Sequence, residues 1–278
     1  MSVCVVYREL LEEGKHILAQ AEIVDAECDA WLLLEHVSGM NRAQFFLHQQ
    51  DTVPDELEAD YRGMLRKRAE HIPLQHLTGT QEFMGLEFQV SPDVLIPRQD
   101  TELLVEKLLP HIQGKRVLDV CTGSGCIAIS LAVLGKPEQM DAVDLSEKAL
   151  IQAGKNAKRL GADVSFYRSD MLDEINGRYD VIVSNPPYIE NAVIETLQTE
   201  VKDYEPRIAL DGGEDGLVFY RRITETAHNF LKKGGLLAFE IGYNQGESVR
   251  GLMQNDFYDT EVIKDLNDND RVVIGKLK

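Results

Sequence analysis

Asn185-Pro186-Pro187-Tyr188 follows directly on the apolar run Val181-Ile182-Val183-Ser184 and carries the most specific chemistry in the chain. Two prolines remove two backbone donors and stiffen the loop, which leaves the carbonyls of Asn185 and Pro186 free to face a pocket. Asn185 adds a side-chain oxygen, and Tyr188 an aromatic face against which a planar group can stack. An amide or aromatic amino nitrogen is a poor nucleophile because its lone pair is delocalised, and it gains positive charge as it attacks a sulfonium methyl. Two acceptors gripping its N–H bonds orient the lone pair and stabilise that charge, the oxyanion-hole principle with its sign reversed. This chemistry needs no metal. A plain turn is the competing explanation, and the position of the tetrapeptide after a strand of a nucleotide-type sheet argues against it.

A second segment, residues 117–128, reads as a strand running into a glycine turn and then a helix. Its turn, Cys121-Thr122-Gly123-Ser124-Gly125, lets the backbone approach a ligand closely. The same stretch satisfies the dinucleotide fingerprint with Ala128 at its third place, and Asp144 follows about 20 residues on, as that fingerprint expects. The turn alone therefore leaves S-adenosylmethionine, a nicotinamide dinucleotide and a ligand-free connection open. Asp144 ends a strand, where its carboxylate can accept hydrogen bonds from both ribose hydroxyls of an adenosine, or cap the helix that starts at Ser146. Ser169-Asp170-Met171 follows the next strand, placing a polar side chain for an adenine amino group and Met171 to flank the ring.

The elements that must hold these residues alternate from residue 116 onward: strand 116–121, helix 125–134, strand 139–144, helix 146–160, strand 163–167, strand 179–184, helix 216–231, strand 236–241 and helix 245–255. Strands near 261–265 and 271–276 close the chain. Such alternation predicts an α/β domain with a mostly parallel sheet covered on both faces, and ligands in such sheets sit beyond the carboxyl ends of the strands. Upstream, Leu10, Leu11, Ile17 and Leu18, then Trp31 to Leu34 and Val37, fall at helical spacing, and residues 1 to about 75 read as a small helical bundle. Ser38-Gly39 marks a helix end and Pro54-Asp55-Glu56 a start. Phe83, Leu86, Phe88 and Val90 around Gly85 predict a hairpin that leads into a linker, and Asp100 is placed as the N-cap of the following helix.

Composition narrows the partners. The formal charge of −18 at pH 7 gives nothing to gain from counterion release on DNA or RNA unless basic residues cluster. The one cluster, Arg62, Arg66, Lys67 and Arg68, is surrounded by Glu56, Glu58, Asp60 and Glu70 and reads as a solvated helix face. An acidic surface favours a basic protein partner instead. No run of about 18 apolar residues occurs and Arg8 and Glu9 interrupt the N-terminus, so a cytoplasmic protein without a membrane span or leader is expected. Cys4, Cys28, Cys121 and Cys126 lack the paired spacing of a zinc site and read as reduced thiols. His36, His48, His71 and His76 lack metal-ligand spacing and read as surface or packing residues.

The chain resembles the class I methyltransferases with an Asn-Pro-Pro-Tyr motif and, more narrowly, the bacterial release factor glutamine methyltransferases. Leu95-Ile96-Pro97-Arg98-Gln99-Asp100-Thr101-Glu102 and Glu205-Pro206-Arg207-Ile208-Ala209-Leu210-Asp211-Gly212-Gly213 are the discriminating segments. The resemblance implies a Rossmann-like methyltransferase domain over 99–278, a hairpin linker over 79–98 and a helical substrate-recognition domain over 1–78. It implies S-adenosylmethionine held by Cys121, Thr122, Gly123, Ser124, Gly125, Asp144, Asp170, Met171 and Asn185, with Asn185, Pro186, Pro187 and Tyr188 gripping the substrate. The acceptor it implies is the glutamine of a Gly-Gly-Gln tripeptide in peptide chain release factors, methylated by a monomer. The family usually has Gly where this chain has Cys121, a change that leaves the turn intact while narrowing the space beside the cofactor. A ribosomal-protein glutamine methyltransferase is the nearest alternative. An adenine-amino DNA methyltransferase must flip a base and hold a polyanion, against the charge. A nicotinamide oxidoreductase leaves Asn185 to Tyr188 unexplained, and a non-enzymatic protein-binding adaptor would bind no S-adenosylmethionine.

Overall fold

The structure is a computed structural model that describes residues 5–278; Cys4 lies outside the described residues. Two compact units emerge. One comprises residues up to Gly79 together with Thr199–Tyr204, and the other Thr80–Gln198 with Glu205–Lys278.

The first unit is helical, with α1 Tyr7–Gln20, α2 Ala26–Ser38, α3 Arg42–His48, α4 Asp55–Ala69 and α5 Leu74–Thr78. Leu10, Leu18, Trp31, Leu34, Tyr61 and Leu65 fill its core. The apolar stripe of α1 closes on α4 because Gly14 leaves room: a Cβ there would lie 2.1 Å from the Tyr61 hydroxyl oxygen, which donates to the Ala30 carbonyl at 3.0 Å. Gly39, left-handed at φ +67, ends α2 as Ser38-Gly39 predicts. Helix α4 carries Asp55, Glu56 and Glu58 in its first turn and Arg66, Lys67 and Arg68 in its last, matching its dipole.

The expectation of a solvated basic face fails at Arg68. Its side chain is 6 % exposed, and it pairs through Nε with Asp29 at 2.7 Å and through an Nη with Glu200 at 2.7 Å. The helical period turns position 68 inward, where a guanidinium is tolerated only against carboxylates. The partner Glu200 comes from the short segment Thr199–Lys202, which joins this unit across a gap in sequence that no local pattern announces. Tyr204 adds a hydrogen bond to the Glu70 carbonyl at 3.0 Å.

The second unit opens with the hairpin β1 Thr80–Phe83 and β2 Leu86–Gln89, turning through Met84 and Gly85, both at positive φ. Helix α6 Gln99–Leu108 follows, then β3 Arg116–Val120, α7 Cys126–Gly135, β4 Gln139–Asp144, α8 Glu147–Leu160, β5 Ser165–Arg168 and β6 Tyr179–Ser184. The chain continues through short helices α9 Asn191–Ile194 and α10 Thr199–Lys202, then α11 Val218–Phe230, β7 Leu231–Glu240, α12 Gly246–Met253, β8 Phe257–Lys264 and β9 Asp270–Leu277. The seven-stranded sheet has the order β5-β4-β3-β6-β7-β9-β8. Strands β3 to β7 are parallel to their neighbours, and β8 and β9 add an antiparallel edge. The order reverses between β3 and β6, which opens the crevice where such sheets take ligands.

Strand alternation distributes the core over both faces. Val117, Val181, Val183 and Ala238 pack towards α6, α7 and the hairpin, while Leu118, Ile182, Leu237 and Phe239 pack towards α11 and α12. Phe83 and Phe88 of the hairpin meet edge to face, 6.0 Å between centroids, inside the first of these clusters. The buried Asn156 on α8 accepts from the Gln89 amide at 2.8 Å and donates to the carbonyls of Gln89 and Ser124. The hairpin is thereby fastened to the sheet unit, whereas a linear reading of the sequence sets it apart as a linker.

Asp100 does not cap α6. It is the second residue of the helix, Arg98 holds the cap position without a side-chain bond, and the Asp100 carboxylate reaches Arg271 at 3.1 Å. A carboxylate in the first helical turn is favourable for the same dipolar reason that makes it a plausible cap. Strand β7 begins at Leu231, earlier than expected, because the Gly234-Gly235 irregularity lets pairing with β6 continue across a register shift.

Candidate active site

The carboxyl ends of β3, β4 and β6 surround a cavity lined by Cys121, Gly123, Asp144, Met171, Asn185 and Phe219 among others. The loops that build it are unusually constrained. Cys121 follows β3 at φ +63, a left-handed conformation disfavoured for residues other than glycine. Cysteine at the position where the resembled family has glycine therefore keeps the glycine backbone, as expected, and its side chain lines the cavity. Burial pushes its thiol well above the ordinary value, with the Asp144 and Asp119 carboxylates adding to the rise, so the sulfur stays a neutral thiol. Cys28, Cys121 and Cys126 are all free.

Beneath the turn, Thr122 donates to the buried Asp119 carboxylate at 2.6 Å. Desolvation pushes the Asp119 carboxyl up to about 7, partly offset by the Thr122 and Ala128 hydrogen bonds. Gly125, at φ +82, is the close-approach glycine: a Cβ would sit 2.8 Å from the Ile129 Cδ1 and 3.0 Å from the Ala153 Cβ. Gly123 is the ligand-side glycine, with nothing within 4 Å of the place its Cβ would take. Its amide donates to Asp144 Oδ2 at 2.9 Å, and the Ser146 amide donates to Asp144 Oδ1 at 2.8 Å. Asp144 is thus not the cap of α8, a role taken by Ser146 accepting from Ala149 at 3.2 Å. Each carboxylate oxygen retains a further lone pair for a ligand hydroxyl. Burial raises the Asp144 carboxyl above its usual range, and the backbone N–H bonds pull the other way.

After β5 the backbone is fixed by Ser169, whose hydroxyl donates to the Met171 carbonyl at 2.8 Å and accepts from the Glu174 amide at 3.1 Å. Met171 sits at φ +51 and is buried at the cavity wall. Asp170 also lines the cavity, with its carboxylate paired to Arg222 at 3.0 Å.

Asn185 reaches the cavity from the end of β6, and its Nδ2 donates to the Thr101 hydroxyl at 3.3 Å. That bond leaves Oδ1 as the end available to a ligand. Pro187 lines the cavity as well, whereas Pro186, buried like its neighbour, is not among the residues lining it. The placement of Tyr188 as a stacking face is corrected: it is not among the residues lining the cavity, and its hydroxyl turns into the interior to donate to Glu240 Oε1 at 3.3 Å. Its carbonyl is held by Gln245 Nε2 at 3.0 Å. The loop containing Asp211-Gly212-Gly213 explains why the chain turns away here. A Cβ on Gly212 would come within 2.7 Å of the Tyr188 backbone, so this loop lies directly against the residue. The aromatic ring that lines the cavity is Phe219 from α11.

The two segments that carry the family resemblance meet at the cavity edge. The carboxylate of Glu205, 1 % exposed, accepts from the Ile96 amide at 3.2 Å and pairs with Arg98. Pro97, Arg98 and Pro206 line the cavity beside them. Glu240 and Phe219 are residues of the site region that motif reading passes over, and Thr101 and Asp119 lie inside motif segments that give them no role. Only Glu240 and Asp119 leave a sequence signal, a lone carboxylate within or closing an otherwise apolar strand.

A reversal-point crevice, a glycine turn after the first strand of the sheet, an acid ending the next and a stiff Asn-Pro-Pro-Tyr loop define a class I methyltransferase. Solved structures agree on the fold. A methyltransferase from Pyrococcus furiosus superposes with a TM-score of 0.54 at 18% identity, covering 70% of this chain and 90% of that one. The T. thermophilus 16S rRNA N2 G1207 methyltransferase, in complex with AdoMet and guanosine, gives 0.53 at 18% identity, covering 72% and 50%. The family models described as the PrmC N-terminal domain and the methyltransferase small domain match residues 9–79 and 98–203. The chain is 42% identical to the release factor glutamine methyltransferase of Geobacter sulfurreducens over 97% of this chain and 96% of that one. It is 39% identical to that of Agrobacterium fabrum over 95% of each. The chain belongs to the release factor glutamine methyltransferase family.

Proposed function

We propose that this protein methylates the side-chain amide nitrogen of a glutamine in peptide chain release factors, that of their Gly-Gly-Gln tripeptide, using S-adenosylmethionine. The observation that carries the reading is the Asn185 amide, anchored through Nδ2 so that Oδ1 is left for the same cavity that the glycine turn and Asp144 line. S-adenosylmethionine, when bound, supplies a methyl group made electrophilic by a positively charged sulfur. The open backbone at Gly123 and the spare acceptor capacity of Asp144 fit its adenosine and amino-acid parts, with Cys121 to Gly125, Asp144, Asp170 and Met171 as the residues that hold it and Asn185 beside them at a minor share of the affinity. Asn185 Oδ1 accepts an N–H of the acceptor amide, with the Pro186 carbonyl as the second acceptor and Pro187 stiffening the loop. These two oxygens orient the nitrogen lone pair, and the hydrogen bonds they accept strengthen when the nitrogen becomes positive and its N–H groups become better donors.

The helical unit, taken as residues 1–78, serves as the substrate-recognition domain, the hairpin region 79–98 leads from it and 99–278 is the catalytic domain. A charge of −18 favours a basic protein over a nucleic acid as partner. No helix among the described residues is long and apolar enough to cross a membrane, and the proposal places a monomer in the cytoplasm, where release factors act.

Incubation with labelled S-adenosylmethionine, followed by mass spectrometry, should place the label on the glutamine peptide of purified release factor. Equal or faster transfer to duplex DNA defeats the reading, and a ribosomal protein as preferred acceptor keeps the chemistry while replacing the substrate.

Asp144→Ala tests the cofactor half. The carboxylate stands to make charge-assisted bonds to ribose hydroxyls, worth about 1.5–3 kcal/mol, so affinity for S-adenosylmethionine falls roughly ten- to hundredfold. Loss of the Gly123 anchor works in the same direction. Unchanged affinity by calorimetry removes Asp144 from the site.

A further inference from the structure

The Asn-Pro-Pro-Tyr loop leaves the sheet at Ser184, which is paired to Val120 and Phe239 and whose hydroxyl donates to the Val120 carbonyl at 2.6 Å. At its far end it leans on another loop. The Ile189 amide donates to the Leu210 carbonyl at 3.0 Å and the Gly212 amide to the Ile189 carbonyl at 2.8 Å, so that each loop holds the other. The side chain of Gln245, a residue 7 % exposed at the start of α12, ties both to the sheet unit: its Nε2 donates to the Tyr188 carbonyl at 3.0 Å and to the Gly216 carbonyl at 3.3 Å. We propose that Gln245 is a positioning residue that, through the Tyr188 carbonyl, sets where the Asn185 and Pro186 oxygens stand. The inference rests on the reading of those oxygens as the grip on the acceptor nitrogen.

The two ends of the Gln245 amide are not interchangeable. Its Oε1 accepts from the Gly242 amide at 2.9 Å, a group that only donates, while the carbonyls of Tyr188 and Gly216 only accept, so its surroundings dictate one orientation. The Tyr220 hydroxyl lies 3.5 Å from the same oxygen and donates over the shorter distance of 2.9 Å to the Glu240 carbonyl. Gln245 stands between β7 and α12, and α12 buries Val249 and Met253 in the core of the sheet unit. The anchor is therefore as rigid as the packed helix that carries it.

The prolines at 186 and 187 transmit its effect. Their rings hold φ at about −65°, so little of a shift in the Tyr188 backbone is absorbed before it reaches the Pro186 carbonyl and Asn185. The bond from the Tyr188 hydroxyl to Glu240 restrains the ring and leaves the carbonyl to Gln245. The fit on the other side is equally close. A Cβ on Gly212 would lie 2.7 Å from the Tyr188 Cα, and one on Gly216 would lie 2.4 Å from the Tyr188 carbonyl oxygen and 2.6 Å from Gln245 Nε2. An apolar side chain at 245 strands both carbonyls and the Gly242 amide, and these turn to water at the expense of the loop's position.

Single-turnover methyl transfer to release factor, with both substrates saturating, tests the role of Gln245 in wild type, Gln245→Met, Gly216→Ala, Asn185→Ala and the double variant Gln245→Met/Asn185→Ala, alongside calorimetry of S-adenosylmethionine binding. Methionine matches glutamine in length and offers no N–H, while Gly216→Ala wedges the same bond from the loop side and also strains a backbone at φ +69. Both single variants bind cofactor within about threefold of wild type and transfer methyl roughly ten- to hundredfold more slowly, the scale of a misplacement of about 1 Å. In the double variant the Gln245→Met factor shrinks well below its size in the wild-type background, because the loop's position matters through the oxygens it carries. A merely structural role lowers stability and spares the rate of the folded, cofactor-bound protein. A Gln245→Met rate within about threefold of wild type beside a slow Asn185→Ala therefore overturns the positioning role and leaves that of Asn185 standing. Factors that multiply in full in the double variant, or cofactor affinity lost in step with rate, overturn it as well. A fast Asn185→Ala overturns both readings.

Discussion

Asn185→Ala binds S-adenosylmethionine almost as well as the unaltered protein and transfers its methyl group roughly 10²–10³ times more slowly, by analogy with removal of one preorganised oxyanion-hole donor, which raises a barrier by about 2.7–4 kcal/mol. The loss falls on the chemical step because the acceptor's N–H bonds become strong donors only when its nitrogen turns positive. A ground-state contact of the same geometry would be felt equally before and during the reaction and would alter binding instead. Asn185→Asp is the more discriminating variant. It keeps an oxygen facing the cavity but loses the N–H that Thr101 accepts. Partial activity is expected. Single-turnover kinetics with both substrates saturating decide the matter: an Asn185→Ala rate within about threefold of wild type means that Asn185 stabilises no charge in the transition state and that the tetrapeptide is only a stiff turn.

Arg68→Met destabilises the helical unit by about 3–5 kcal/mol, the cost of stripping a buried carboxylate of its partner. The Asp29 side chain is 9 % exposed and that of Glu200 30 %, so the stranded charge is chiefly Asp29. Burial already holds the Asp29 carboxyl above its ordinary value even with the Arg68 hydrogen bond and charge pulling it down. Without Arg68 it rises further. A carboxyl raised in the folded state contributes least once both states are ionised, so the deficit of the variant is largest at neutral pH and shrinks as pH falls through the folded value. Trp31 is the chain's one tryptophan and lies in this unit's core, which lets urea unfolding followed by its fluorescence report the unit without interference. Adding Asp29→Asn should recover part of the loss, since a neutral amide needs no counter-ion. A loss below about 1 kcal/mol, the range of exposed ion pairs, removes the buried pair from any structural role.

The sequence by itself determined the architecture of the sheet unit and the address of its crevice. Alternating apolar runs of period 2 and period 3.6 are local properties of the chain, and Val117 to Val120 or Val181 to Ser184 have one way to bury both faces. Glycines and prolines are legible for the same reason: they restrict or release φ at their own positions, and the turn carries Cys121, Gly123 and Gly125 at positive φ while Asn185 and Pro187 line the cavity. Even the cysteine at position 121 accepts the left-handed backbone that its place in the turn requires.

What the chain does with its polar side chains was decided elsewhere. Tyr188 reads from sequence as a stacking face, yet its hydroxyl finds Glu240, 52 residues away. Arg68 reads as a solvated charge, yet it meets Asp29 from α2 and Glu200 from the distant segment Thr199–Lys202. Thr101 stands in a segment legible from sequence, yet its hydroxyl becomes the partner of Asn185, 84 residues away, only because α6 and β6 converge. A hydrophobic side chain needs only to be removed from water, and periodicity along the chain suffices to say on which side. A hydrogen bond or ion pair needs a particular partner at about 3 Å in a particular direction, and across a parallel sheet that partner comes from a strand or helix tens of residues distant, where no local pattern can specify it.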